Sequence, residues 1–155
     1  MSPQVRIRHG EPGDLSFVFD LGRRTLESSV SPLRPAPPAQ LVAMYDRTIG
    51  YVLTQPHTIL IAEENAERLG FIIGLDEIPD EVSGVPQAFF VYAAVEKHAQ
   101  RRGIGRRLFT SLEDEARARG LSYASFMVTE ENVEARELYA QLGYVTERRQ
   151  LCKRL

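Results

Sequence analysis

The stretch Ala88-Phe-Phe-Val-Tyr-Ala-Ala-Val95 is apolar at odd and even positions alike. A strand with one wet face alternates. A strand apolar on both faces needs cover on both, which places it centrally in a sheet between layers of helices. The residues that follow supply such cover. Ile104, Leu108, Leu112 and Ala116 recur at steps of four between Gly103 and Arg119, and Gly120 is placed to close that helix. Leu121–Val128 reads as another strand. Asn132–Leu142 carries Ala135, Leu138, Tyr139 and Leu142 on one helical face, with Gly143 after it. Short right-handed crossovers make the strands at Ala88–Val95 and Leu121–Val128 parallel neighbours. Tyr144 to about Lys153 reads as a last strand.

Upstream, Val5–Arg8 alternates as a half-buried strand. Glu11–Asp14 is a turn ending in an N-cap at Asp14, and a helix runs from there to about Ser29. Ser31–Pro38 holds four prolines in eight residues, which excludes helix and central strand. Its last proline suits the first turn of a second helix with Leu41, Met44, Tyr45, Thr48 and Val52 on one face. His57–Ala62 and Arg68–Leu75 read as a hairpin around the polar turn Glu63–Glu67, and Pro79–Pro86 as a loop. The order β α α β β β α β α β describes an α/β domain (α+β by some schemes) spanning residues 1–155. Its mixed central sheet has about six strands flanked by about four helices.

The 19 Lys and Arg nearly cancel the 21 Asp and Glu, and the net charge is -2. That balance argues against nucleic acid as a partner. The single cysteine, Cys152, forms no intrachain disulfide, and His9, His57 and His98 are too scattered for a metal cluster, so no metal is expected. The start lacks the apolar core of a secretory leader, and no stretch approaches the roughly 20 apolar residues of a membrane span. A cytoplasmic chain without membrane association is the expectation, and a homodimer is compatible with it.

The chemistry concentrates after the central strand, in Val95-Glu-Lys-His-Ala-Gln-Arg-Arg-Gly-Ile-Gly-Arg-Arg107. Free N–H groups and the positive end of a helix dipole attract phosphate, and glycines let the backbone approach it closely. Arg101, Arg102, Arg106 and Arg107 add only positive charge. Without partners they oppose the dipole by a few tenths of a kcal/mol each, an arrangement that an anion would offset. The loop lacks the Lys-hydroxyl pair of a Walker loop. It also lacks the third glycine of a dinucleotide fingerprint, since Leu stands at 108.

Gln100-Arg-Arg-Gly-Ile-Gly105 resembles the Q/R-x-x-G-x-G/A signature of the GNAT superfamily of acetyl-CoA-dependent N-acetyltransferases. Asn132-Val-Glu-Ala-Arg-Glu-Leu-Tyr-Ala-Gln-Leu-Gly-Tyr144 resembles that family's second motif, N-x-x-A-x-x-L-Y-x-x-x-G-[FY]. The resemblance implies that backbone amides of Arg101, Arg102, Gly103, Ile104, Gly105 and Arg106 hold the pyrophosphate of acetyl-CoA. It implies that Ala93, Ala94 and Val95 pair with the pantetheine arm where two parallel strands splay. Asn132 would touch that arm, a role compatible with helix N-capping. Tyr139 would give a proton to the leaving thiolate, although its spacing alone reads as packing.

The general base is not marked. Some relatives carry a glutamate where Phe89 stands here, others where Met127 stands. Glu63, Glu77 and Glu130 remain, and Glu77 is taken as the candidate. Asp76, Glu77, Asp80 and Glu81 suggest an acidic mouth for a cationic amine, and the proline segment suggests a wall of the acceptor site. The implied reaction is direct acetyl transfer to a primary amine, on a small molecule or a peptide, in a ternary complex. A non-catalytic acyl-CoA-binding regulatory module of the same fold is the alternative.

Overall fold

The computed structural model describes residues 4–155. Met1–Pro3, part of the start read above as lacking a leader, lie outside the described residues. Five strands form one sheet in the order β1 (Arg6–His9), β2 (His57–Glu64), β3 (Glu67–Pro79), β4 (Pro86–Val95) and β5 (Ala124–Ser125). The first three pairings are antiparallel, and β4 and β5 are parallel. The helices are α1 (Leu15–Arg24), α2 (Pro38–Leu53), α3 (Ile104–Ala118) and α4 (Val133–Gln141).

The apolar cores lie on the two faces of the sheet, as the composition of β4 requires. On one face α3 buries Ile104, Leu108, Leu112 and Ala116 against Leu60, Ile72, Ala88 and Phe90. On the other, α1 and α2 bury Val18, Leu21, Tyr45, Ile49 and Val52 against Ile61, Phe71 and Ile73. α1 and α2 meet closely at Gly22, where a Cβ would fall 1.8 Å from the Tyr45 hydroxyl oxygen. That hydroxyl donates to the Val18 carbonyl at 2.8 Å.

The hairpin forms with a tighter turn than the pentapeptide read from sequence. Glu64 pairs with Glu67, and Asn65 and Ala66 take φ of 51° and 65°, the left-handed pair that matches strand twist. β3 continues past Leu75 to Pro79 because an irregularity between Leu75 and Ile78 absorbs the polar Asp76-Glu77. α1 stops at Arg24, short of Ser29. The Thr25 hydroxyl folds back onto the Leu21 and Gly22 carbonyls, and a 3-10 turn, Leu26–Ser29, follows.

The C-terminal part departs most from expectation. The strand read over Leu121–Val128 shrinks to Ala124–Ser125, and the strand read over Tyr144–Lys153 does not form. Tyr144 sets its ring edge-on against Phe126 at 4.7 Å, and Arg148 reaches Asp80. Side chains hold this segment to the body without ladder hydrogen bonds, so the sheet has five strands.

Asp14 flanks α1 at its N-cap as read, but its side chain makes no cap bond. It is 2% exposed and accepts from both terminal nitrogens of Arg8 (2.7 and 3.1 Å), from Arg68 Nε (2.5 Å) and from the Glu11 N–H (2.8 Å). The Arg8 guanidinium, more than any other neighbour, holds its carboxyl well below the usual range.

Candidate active site

The loop after β4 is built from local constraints. The Glu96 N–H donates to the Leu69 carbonyl at 2.8 Å, a 3-10 turn (Lys97–Ala99) buries Ala99, and the Gln100 side-chain amide donates back to the Val95 carbonyl at 3.3 Å. Arg101 then takes a φ of 61° and Gly103 a φ of 74°. α3 begins at Ile104, and its first backbone bond runs from the Arg107 N–H to the Gly103 carbonyl at 3.1 Å. Among the described residues no acceptor meets the backbone N–H groups of Arg101, Arg102, Gly103, Ile104, Gly105 and Arg106. Six consecutive amides therefore lie free at the positive end of a 15-residue helix.

Gly105 sharpens the picture. Its φ is not positive, and a Cβ there would meet only Leu138 Cδ2, at an ordinary 3.8 Å. Neither backbone geometry nor packing within the chain demands glycine, which costs a helix about 1 kcal/mol relative to alanine. What glycine leaves is room on the outer side of the loop, and the cradle fits a diphosphate.

The arginines are not the uniformly free block read from sequence. Arg102 pairs with Glu64 at 2.7 Å, Arg106 donates to the Gln141 side-chain oxygen at 2.8 Å, and Arg107 donates to the Val5 carbonyl at 2.8 Å. Only Arg101, of these four, has a guanidinium with no hydrogen-bond partner among the described residues. The partners come from distant parts of the chain, so the repulsive first turn inferred from local sequence is largely relieved.

β4 pairs with β5 only at Ala88–Ala124 and Phe89–Ser125. Beyond Phe89 its outer edge, including Ala93, Ala94 and Val95, runs without a strand partner up to the loop. A register shift leaves Val91 without a counterpart on β3 between Phe90 and Tyr92. The pairing of β4 with β5 thus ends at Phe89, ahead of the residues named in the splayed-strand expectation.

α4 packs beside the start of α3, with Leu138 next to Gly105 and Gln141 accepting from Arg106. Asn132 caps it, its side-chain oxygen accepting from the Ala135 N–H at 3.3 Å. At the other end Gly143 has a φ of 93°, with its N–H on the Ala140 carbonyl and the Tyr144 N–H on the Tyr139 carbonyl, both at 3.0 Å. Much of the second sequence motif is therefore a start and stop signal for one helix. Tyr139 is half-buried, with its ring 4.4 Å from Phe126 and 5.1 Å from Phe109. Its hydroxyl bonds to no side chain or carbonyl among the described residues, yet no fully buried side-chain polar atom lacks a partner, so the hydroxyl reaches accessible space. Burial pushes its pKa up, which keeps the phenol protonated.

Glu77 is not brought into this group. It is exposed, at the irregular end of β3 beside the start of β4, and the eight steps from Gln87 to Val95 put about 26 Å of strand between that end and the loop. The acidic mouth is also largely neutralised. Arg119 approaches Asp76 at 3.7 Å, while Arg148 holds Asp80 at 2.5 Å and Glu81 at 3.7 Å. Of the other carboxylates weighed, Glu63 accepts from Arg6 and Arg8, and Glu130 faces Arg136.

One feature of the site escaped the sequence reading. A cavity of about 230 Å³ lies between α2, the 3-10 turn at Leu26–Ser29 and the bulged part of β4. Met44 and Tyr45 had been legible only as one face of an amphipathic helix, and Tyr92 only as a strand residue. Among the described residues no group of three His, Cys, Asp or Glu side chains is placed to hold a metal ion, and no helix is long and apolar enough to cross a membrane.

Residues 25–144 match the model of the acetyltransferase (GNAT) family. No curated protein matches the sequence. Among solved structures, a Pyrococcus furiosus protein named as an acetyl transferase superposes with a TM-score of 0.84 at 25% identity, over 98% of this chain and all of that one. The aminoglycoside N-acetyltransferase AAC(6')-Iy, solved with CoA, gives 0.73 at 18% identity, over 100% and 97% of the two chains. The ribosomal-protein-alanine N-acetyltransferase of Brucella melitensis biovar Abortus 2308 gives 0.69 at 18% identity, over 97% and 99%.

Proposed function

The chain belongs to the acetyltransferase (GNAT) family, and from that premise we propose that it is an N-acetyltransferase moving an acetyl group from acetyl-CoA to a primary amine. The observation that carries the reading is the run of six acceptor-free amides from Arg101 to Arg106 at the start of α3. These amides and the unpaired Arg101 side chain hold the diphosphate. The open edge of β4 at Ala93, Ala94 and Val95 offers backbone groups to the amide-bearing arm. Asn132 fixes the start of α4 and so the position of Tyr139. The AAC(6')-Iy complex with CoA supports the choice of coenzyme.

Acetyl-CoA supplies an acetyl group activated as a thioester. The chain supplies orientation and a proton. Tyr139 keeps its hydrogen at neutral pH and presents it to the departing thiolate. A thiol titrates near 8.5 and a phenol near 10, so this transfer runs uphill by about 2 kcal/mol or more. That is small against a chemical barrier, and water then restores the phenol. No carboxylate lines the cavity beside β4, so the amine gives its proton to water.

The test is a thermal-shift titration with acetyl-CoA followed by thiol detection over a broad amine panel. At a hundred times its Kd, acetyl-CoA stabilises the fold by about 2.7 kcal/mol. No shift counts against the reading; a shift without thiol release from any amine favours a non-catalytic acyl-CoA-binding module.

A further inference from the structure

Resting on that reading, we propose that the cavity between α2 and β4 selects a small primary amine carried on an uncharged apolar body, and that the Tyr92 oxygen accepts a hydrogen bond from the amine nitrogen.

Position comes first. Along a regular strand Val91 and Tyr92 point to opposite faces. The register shift at Val91 breaks that alternation, and both residues pack on the α1/α2 face, where they form the floor of the cavity. They directly precede Ala93, the first residue of the edge assigned to the coenzyme arm. The floor of the cavity therefore continues that edge.

The lining settles the class of ligand. Leu26, Val30, Leu41, Met44 and Ile49 make the walls, Ser29 and Thr48 add hydroxyls, and no charged side chain takes part. A polycation entering here would leave several ammonium groups without carboxylates, each a desolvation penalty without compensation. A monoamine on an apolar body has one such group, and apolar surroundings favour its neutral, nucleophilic form. The cavity is open to solvent, so its volume scales the part of the body that it surrounds. A volume of about 230 Å³ equals roughly eight waters at about 30 Å³ each. A phenyl ring on a two-carbon amine is of that order.

The hydrogen count at Tyr92 supplies the polar contact. The Thr25 hydroxyl oxygen lies 3.0 and 3.1 Å from the Leu21 and Gly22 carbonyls and 2.9 Å from the Tyr92 hydroxyl. In the arrangement in which Thr25 gives its one hydrogen to a backbone carbonyl, its oxygen is the acceptor that faces the Tyr92 hydroxyl. The Tyr92 hydrogen then goes to Thr25. Tyr92 is left with lone pairs and no hydrogen to offer, which suits an N–H donor and not a carbonyl or carboxylate. Tyr45 is buried, and its hydroxyl packs against Gly22 while donating to the Val18 carbonyl. In the reaction the amine nitrogen bonds to the acetyl carbon as the carbon–sulfur bond breaks. The nitrogen's surplus proton leaves to water, and Tyr139 protonates the thiolate.

The experiment compares 2-phenylethylamine, spermidine and kanamycin as acceptors by thiol release, with acetyl-CoA binding followed separately by thermal shift. The expected result is a kcat/KM for 2-phenylethylamine at least about tenfold above the other two. Met44 is 52% exposed at the rim, so Met44→Glu leaves the fold and the acetyl-CoA shift intact. It lowers kcat/KM for 2-phenylethylamine by about tenfold or more. Tyr92→Phe raises the KM for that amine severalfold with little change in acetyl-CoA binding. If acetyl-CoA binds but spermidine or kanamycin is preferred, or if Met44→Glu changes nothing, this proposal fails and the acetyltransferase reading stands. If acetyl-CoA binds but nothing is acetylated, titration of 2-phenylethylamine against the CoA-loaded chain decides: no binding overturns the proposal. If acetyl-CoA does not bind, both readings fall.

Discussion

The backbone N–H of Tyr144 donates to the carbonyl of Tyr139 at 3.0 Å. This bond wraps the chain around Gly143 and fixes the last turn of α4, the turn that carries the phenol. Gly143→Ala forces a side chain into the left-handed region. It should lower stability by about 1–2 kcal/mol, read by urea denaturation. Because the same turn orients Tyr139, kcat should fall more than acetyl-CoA affinity.

Tyr139→Phe separates packing from proton supply. The ring keeps its contacts with Phe126 and Phe109, so stability should move by less than about 0.5 kcal/mol. Loss of the hydroxyl should lower kcat by about tenfold or more, with acetyl-CoA Kd unchanged. A wild-type rate would make Tyr139 a packing residue.

Gly105→Ala sets folding against binding. The added methyl meets nothing tighter than 3.8 Å within the chain and should stabilise α3 by up to about 1 kcal/mol. It also intrudes on the space beside the free amides. The thermal midpoint without ligand should rise while the acetyl-CoA shift shrinks. Gly105→Glu, which adds bulk and like charge, should abolish that shift.

Acid should weaken the fold through Asp14. Its carboxyl is held below its unfolded value, chiefly by Arg8, so its contribution is complete above the unfolded pKa of about 3.9 and fades as pH falls below it. Denaturant midpoints should drop from about pH 5 towards pH 2. Asp80, bound by Ser83 and Arg148, shifts in the same direction. Asp14→Asn should cost about 2 kcal/mol at pH 7 and make the remaining acid slope shallower. An unchanged slope would remove Asp14 from the account.

The elements legible in the sequence were those whose burial is written into periodicity. Ile104, Leu108, Leu112 and Ala116 declared the inner face of α3, and the all-apolar Ala88–Val95 declared a central strand. The shape of the loop before α3 was legible because glycine placement and helix onset are local. The rest depends on contacts between distant segments. Arg102 finds Glu64 across 38 residues, and Asp14 meets Arg68 across 54. β5 ends at Ser125, and the next residue, Phe126, packs on Tyr139 and Tyr144, contacts between distant segments that alternation does not encode. The bulge at Val91 that makes the cavity floor has no glycine or proline beside it on its own strand, and its local sign is Gly74 on β3, where the register shifts.

Arg101 holds a left-handed backbone that glycine would occupy without strain, and its guanidinium has no partner among the described residues. On the proposed reading, folding and recognition pull in opposite directions at this residue. Selection for robustness alone would favour glycine, and a lineage that abandoned the coenzyme would be free to drift there. On that reading the strain at Arg101 is a cost that only a bound coenzyme offsets.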